Sequence, residues 1–198
     1  MGTFGKFLKM RQIGIYSGTF DPVHAGHIAF GLETLRQLQL DEVIYLPETI
    51  PRYKTEVTPL RHRLTMLELA TAPYEGLRPL SVHSSQFTIA DTLPELQQLF
   101  PDGQFTFLLG SDVLRSLSLW PDIEELAQTA QFAIGLRDRD STESLTPVLN
   151  SISALNLQYT LITTSLSEAC SSTIRTGDND HANASIAAYA RQNNLYKK

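Results

Sequence analysis

Cysteine is nearly absent: Cys170 is the single one among 198 residues. A lone thiol cannot close an internal disulfide, so the framework of a small cross-linked secreted domain is excluded. The count fits a reducing compartment, or simply a chain with no use for thiols. No apolar run approaches the roughly 18 residues that a membrane span requires. Residues 1–10 carry two lysines but too short an apolar stretch for a signal peptide, and they read as an extension ahead of one domain over 11–198. A cytoplasmic location is therefore expected. Excess positive charge is missing too. With 16 Lys and Arg against 21 Asp and Glu, the formal net charge is −5. That argues against broad nucleic-acid binding, though not against an anionic small molecule held in a local basic pocket. Repeats and low-complexity linkers are lacking, and the polar stretch 141–153 is too short to separate domains. The hydrophobic share of 42% lies in the globular range. A chain of this length can bury a sizeable core without structural metal.

What is present is an alternation of short apolar runs with helical periodicities. The runs 13–17, 42–46, 79–82, 105–109, 132–136 and 158–163 predict strands. Val43, Ile44, Tyr45 and Leu46 are apolar on successive residues, as in a strand buried on both faces. Between the runs, Ile28, Leu32, Leu35 and Leu38 recur at helical spacing. So do Leu64, Leu67 and Ala70, then Leu93, Leu96 and Leu99, then Ile123 with Leu126. These stripes read as core-facing helix. A last helix is expected around 186–195. The pattern predicts an α/β fold: an open parallel sheet with helices on both faces, in a single domain. Ligands of such sheets bind beyond the carboxyl ends of the strands, so chemistry is sought directly after each run.

After the first run the chain reads Ser17-Gly18-Thr19-Phe20-Asp21-Pro22-Val23-His24-Ala25-Gly26-His27, and a helix pattern begins. Gly18 permits a tight turn and Pro22 fixes the loop. Gly26 lets a large ligand approach the helix start, whose N–H groups and dipole favour an anion. His24 and His27, three apart, present two imidazoles to the same place. The pattern is neither the dinucleotide fingerprint G-x-G-x-x-G nor a P-loop. It resembles, without a gap, the G-[ST]-F-D-P-x-H-x-G-H signature of the nucleotidylyltransferase superfamily, whose histidines hold a triphosphate. A Rossmann-like sheet and nucleotidyl transfer are what that resemblance implies. Such a reaction asks for positioning and charge stabilisation, not for a protein nucleophile.

A second cluster, Cys170-Ser171-Ser172-Thr173-Ile174-Arg175, places hydroxyls at an expected helix start with an arginine one turn on. It resembles the superfamily's I-S-S-T-x-I-R, with Cys170 in place of a serine. The resemblance implies ATP contacts from Ser17, Gly18, Thr19, Phe20, Gly26, Ser171, Ser172 and Ile174, and catalytic roles for His24, His27, Lys54 and Arg175. Lys54 closes Pro47-Glu48-Thr49-Ile50-Pro51-Arg52-Tyr53-Lys54, similar to a family loop ending in P-H-K, with Tyr53 at the histidine position.

Further stretches resemble the bacterial nicotinate mononucleotide adenylyltransferases. Gly110-Ser111-Asp112-Val113-Leu114, then Leu117 and Trp120, is similar to that family's G-x-D-x-L-x-x-L-x-x-W. The resemblance implies that Trp120 lies against a pyridine ring and Asp112 near the nucleotide. Phe87-Thr88-Ile89-Ala90-Asp91-Thr92-Leu93 is similar to Y-T-x-D-T-L, one residue longer, whose backbone amides would receive the nicotinate carboxylate. Arg137 matches a family arginine after the same strand. The expectation is adenylyl transfer from ATP, with Mg²⁺, to nicotinate mononucleotide; these small molecules would be its partners, with a homo-oligomer left open. Nicotinamide mononucleotide, phosphopantetheine or a CTP-dependent transfer are the alternative chemistries. A regulatory protein that binds nucleotide without turnover is the alternative class. No zinc site is indicated, since Cys170 lacks partner spacing, and His62, His83 and His181 carry no motif.

Overall fold

A computed structural model describes residues 10–51, 54, 56–136, 140–164 and 183–196. Six parallel strands form one sheet in the order β3-β2-β1-β4-β5-β6. They are β1 (Arg11–Gly18), β2 (Glu42–Pro47), β3 (Leu77–Pro79), β4 (Gly103–Gly110), β5 (Gln131–Gly135) and β6 (Gln158–Ile162). The chain runs outward from β1 to β3, then returns to the other side of β1 with β4. The order therefore reverses between β1 and β4, and a crevice opens beyond their carboxyl ends.

Both faces of the sheet are covered, and strand alternation decides which residue serves which face. Ile44, Leu46, Phe105, Phe107, Leu109, Phe132 and Ile134 share one core with Ile89, Leu93 and Leu96 of α3 (Ile89–Leu99). Leu114 of α4 (Ser111–Leu114) joins it, with Ile123 and Leu126 of α5 (Ile123–Thr129). Val43, Tyr45, Leu108 and Ala133 point the other way. They meet Ile28 and Phe30 of α1 (Ala25–Gln37) and Met66, Leu67 and Ala70 of α2 (Leu60–Thr71). Each fully buried Leu or Ile among these contributes about 1.5–3 kcal/mol. All six residues of β2 are buried, as its continuous apolar run predicts.

The structure corrects the sequence reading in three places. The third strand is Leu77–Pro79 and not 79–82: Leu80 makes one last bond, its N–H to the Tyr45 carbonyl at 2.9 Å, and Val82 packs on the core without joining the sheet. The buried face of α2 is Arg63, Met66, Leu67, Ala70 and Thr71; Leu64 lies to its side, because an arginine holds part of the apolar stripe. Leu99 is 50% exposed at the end of α3. The polar stretch 141–153, which does not separate domains, carries helix α6 (Thr142–Ser151), started by a reciprocal Ser141–Ser144 capping box and anchored by buried Leu145. The last described helix, α7 (Ala184–Gln192), sits close to the expected position.

Candidate active site

The loop after β1 lies at the switch point. Gly18 ends β1 opposite Pro47 of β2, and its carbonyl accepts the Glu48 N–H at 3.0 Å. Phe20 takes a positive φ of 48°, and the Asp21–Pro22 bond is cis. His24 is the N-cap of α1 with extended backbone. His27 is in the first turn, and the two imidazoles stack with centroids 3.6 Å apart. The helix thus brings the motif's two histidines together at its positive end.

The histidine pair is seated, not dangling. Phe20 meets the His27 ring edge-on at 5.0 Å, and Tyr16 lies 5.9 Å from it. The Tyr45 hydroxyl donates to the His27 carbonyl at 3.1 Å. The His24 N–H donates to His27 Nδ1 at 3.2 Å. An accepting Nδ1 places the neutral ring's proton on Nε2. That tautomer makes Nε2–H a donor suited to an anionic oxygen.

Lys54 is exposed, and its Nζ donates to Thr19 Oγ1 at 2.9 Å. This bond joins the loop after β2 to the loop after β1. Ser17 and Gly26 are partly exposed at either end of the same loop. Arg137, Ser171, Ser172, Ile174 and Arg175 lie outside the described residues, as do Cys170, Arg52 and Tyr53.

Beyond β4 a cleft of about 210 Å³ is lined by Phe87, Thr88, Ile89, Ala90, Asp91, Trp120, Pro121 and Asp122. It unites two stretches that the sequence places 33 positions apart, from Phe87 to Trp120, whose rings lie 6.0 Å apart. Gly110 caps α4, and Asp112 is exposed in its first turn. Ser111 is buried there and its hydroxyl donates to Asp140. The two backbone amides singled out in sequence already have acceptors. Phe87 N–H donates to Glu48 Oε1 at 3.0 Å, and Thr88 N–H to Thr92 Oγ1 at 3.1 Å. A ligand carboxylate would have to displace these acceptors to reach either amide.

Three residues to which the sequence reading gave no role, Asp21 of the motif among them, belong to the site's frame. Arg63 is 1% exposed and donates to the carbonyls of Thr58, Thr19 and Thr49 at 2.7, 2.8 and 3.3 Å. Burial pulls its pKa down, while the charges of Asp21 and Glu48 oppose that pull. Asp21 is buried; its carboxylate accepts the Thr58 N–H at 3.0 Å and the Tyr196 hydroxyl at 2.5 Å. Arg63 had a signal: a charged residue in phase with the apolar stripe of a helix. Tyr196 had none, being 175 positions from its partner.

Among the described residues no three His, Cys, Asp or Glu side chains gather into a metal site. No described helix is long and apolar enough to cross a membrane.

Residues 15–176 match the model of the Cytidylyltransferase-like family. A Bacillus cereus (strain G9842) protein named "Probable nicotinate-nucleotide adenylyltransferase" is 41% identical over 129 residues, 62% of this chain and 68% of that protein. A Bacillus anthracis (strain CDC 684 / NRRL 3495) protein of the same name is equally similar over the same spans. Among solved structures, the Plasmodium falciparum nicotinic acid mononucleotide adenylyltransferase complexed with NaAD superposes with a TM-score of 0.75 at 22% identity. It covers 94% of this chain and 97% of its own.

Proposed function

Because this chain belongs to the Cytidylyltransferase-like family and to its nicotinate-nucleotide adenylyltransferase branch, we propose that it transfers the adenylyl group of ATP to nicotinate mononucleotide. The products are the deamido dinucleotide and pyrophosphate. The observation that carries the reading is the stacked His24–His27 pair at the start of α1, beside the switch point of the sheet.

ATP lies with its phosphates against the α1 N-terminus, among Ser17, Gly18, Thr19, Phe20 and Gly26. His27 donates from Nε2 to a phosphate oxygen, and His24 and Lys54 complete a cluster of donors. Ser171, Ser172, Ile174 and Arg175 would add a second cradle. Nicotinate mononucleotide enters the cleft between Phe87–Asp91 and Trp120, its pyridine on the indole. Gly110 and Asp112 lie along the nucleotide, Arg137 would join them, and the ring's carboxylate lies at the Phe87–Thr88 end of the cleft.

A phosphate oxygen of the mononucleotide attacks the α-phosphorus in line. The new P–O bond forms as the bond to the β-phosphate bridging oxygen breaks, and the electron pair leaves with pyrophosphate. The attacking phosphate is already ionised near neutral pH, so no protein base is needed. The enzyme supplies alignment and hydrogen-bond donors for charge growing on the leaving oxygens. Mg²⁺ would accompany the triphosphate, held by phosphate oxygens and water. When bound, it supplies charge neutralisation. The small-molecule substrates and a cytoplasmic location complete the reading.

Pyrophosphate release from ATP tests it, with nicotinate mononucleotide, nicotinamide mononucleotide and phosphopantetheine as parallel acceptors and CTP as alternative donor. Release with ATP and nicotinate mononucleotide is expected, and His27→Ala should lower kcat at least about a hundredfold with the fold intact. Release only with another acceptor would overturn the substrate. Binding of ATP without release from any pair would move the protein to the regulatory class.

A further inference from the structure

Arg63 is the largest side chain withdrawn from water in the described structure, at 1% exposure, yet it faces no carboxylate at hydrogen-bond distance. Its three bonds all end on backbone carbonyls, and all three carbonyls lie in connections rather than in strands or helices. Thr19 belongs to the β1–α1 loop, Thr49 to the loop after β2, and Thr58 to the segment entering α2. Each of these is tied in turn to a further group of the site. Thr19 Oγ1 accepts from Lys54, the Thr58 N–H holds Asp21 three residues before His24, and Thr49 follows Glu48, whose carboxylate holds the Phe87 amide.

A planar guanidinium has five N–H donors in a fixed fork. An apolar side chain offers no donor, and an ammonium gathers its three donors on one nitrogen. Neither matches a fork that reaches three carbonyls from three separate nitrogens. Bracing of a core alone needs no such group, since the sheet and helices here are held by their own ladders and apolar packing. The arginine instead fixes the loops relative to one another at the carboxyl ends of β1 and β2.

We propose that Arg63 is a positioning residue for phosphate capture: it sets Thr19, Lys54 and the His24 loop in one constellation toward the triphosphate. The proposal rests on the reading that this loop holds ATP. It states where that site's preorganisation originates. A misplacement of about 1 Å far from the reacting atoms is enough to cost about a hundredfold in rate.

The test compares Arg63→Lys and Arg63→Gln with Met66→Ala, which empties a fully buried position on the same face of α2. Melting temperature, the calorimetric Kd for ATP with Mg²⁺, and kcat and KM would be measured well below every melting transition. Both Arg63 variants should weaken ATP binding about 10- to 100-fold, whereas Met66→Ala, though melting lower, should stay within about twofold of the parent chain. Adding Thr19→Ala to Arg63→Lys should cost less than the two losses multiplied, because both act through the Lys54 contact.

Unchanged ATP affinity in the Arg63 variants, or equal loss in Met66→Ala, would overturn the proposal. So would failure of both Arg63 variants to fold, since that makes the arginine a stability residue. A parent chain that binds ATP but turns over no acceptor would sink the proposed reaction and leave the affinity comparison to decide on Arg63. A parent chain that binds no ATP would sink both.

Discussion

A methyl group on Gly31 would meet the Tyr45 hydroxyl at 2.2 Å and its ring carbon at 3.1 Å. Helix α1 approaches β2 that closely because the hydroxyl reaches past Gly31 to the His27 carbonyl. Gly31→Ala is therefore expected to destabilise the fold by about 1–3 kcal/mol, read from denaturant unfolding. In a Tyr45→Phe background the obstacle at 2.2 Å is gone, so the same alanine should cost measurably less there. Equal costs in both backgrounds would mean that the helix packs differently. Tyr45 also makes a pH prediction. Burial, with a smaller push from Tyr16, raises its pKa well above the ordinary 10.0. The folded state then keeps the phenol neutral where the unfolded chain already ionises. Stability from this group is complete below about pH 10 and falls as pH rises above it toward the folded value. Tyr45→Phe should flatten that alkaline decline; an unaltered decline would place its cause in other groups.

Helix α3 is started by a side chain that also borders the cleft. Thr88 is its N-cap: Oγ1 accepts the Asp91 N–H at 3.1 Å and donates to the Asp91 carboxylate at 2.8 Å. Thr88→Ala is expected to cost about 1 kcal/mol in thermal unfolding and, if Phe87 and Thr88 line the acceptor cleft, to raise the acceptor KM more than the ATP KM. A KM change confined to ATP would remove Thr88 from the acceptor side. The same element shows what sequence can and cannot reveal. Strands β1, β2, β4 and β5 are readable because their centres are buried on both faces and leave apolar runs. The edge strand β6, with only Ile162 buried, is readable from its β-branched and aromatic residues. β3 is a three-residue edge, and Leu80 and Val82 extend its apolar run beyond its hydrogen bonds. α6 with its C-cap carries Leu145, Val148, Leu149 and Ile152 at helical spacing. Pro147 and the polar residues around them hide that stripe, and the helix start is set by serine capping. The H-x-G-H pair is readable because its geometry is local, with cap and first turn three residues apart. The Arg63 brace and the Tyr196–Asp21 bond depend on contacts set by the folded chain, which spacing in sequence cannot encode.

Across the whole molecule, chemistry and one concentrated source of stability occupy opposite ends of the sheet. At the amino ends of β1, β2 and β3, Glu42 accepts from Arg11 and, at 2.7 Å, from Arg78. Both guanidinium groups stand 5.8 Å from the centroid of the Phe100 ring. Glu42 is buried while the two arginine side chains are each 45% exposed, so water screens the arginines but not the carboxylate. Removing its charge leaves two like charges facing one another over an aromatic ring. The half-exposed arginines moderate that cost, and Glu42→Gln is expected to lose about 1–3 kcal/mol. Since ligands of an open parallel sheet bind at its carboxyl ends, the loss should not reach the histidine loop. Well below the melting transition, kcat and both KM values of Glu42→Gln should match the parent chain within about twofold. Kinetic constants that shift several-fold would show that strand placement at one end of the sheet is transmitted along β1 and β2 to the loops at the other. In that event the rigidity attributed to Arg63 would belong to the sheet as well.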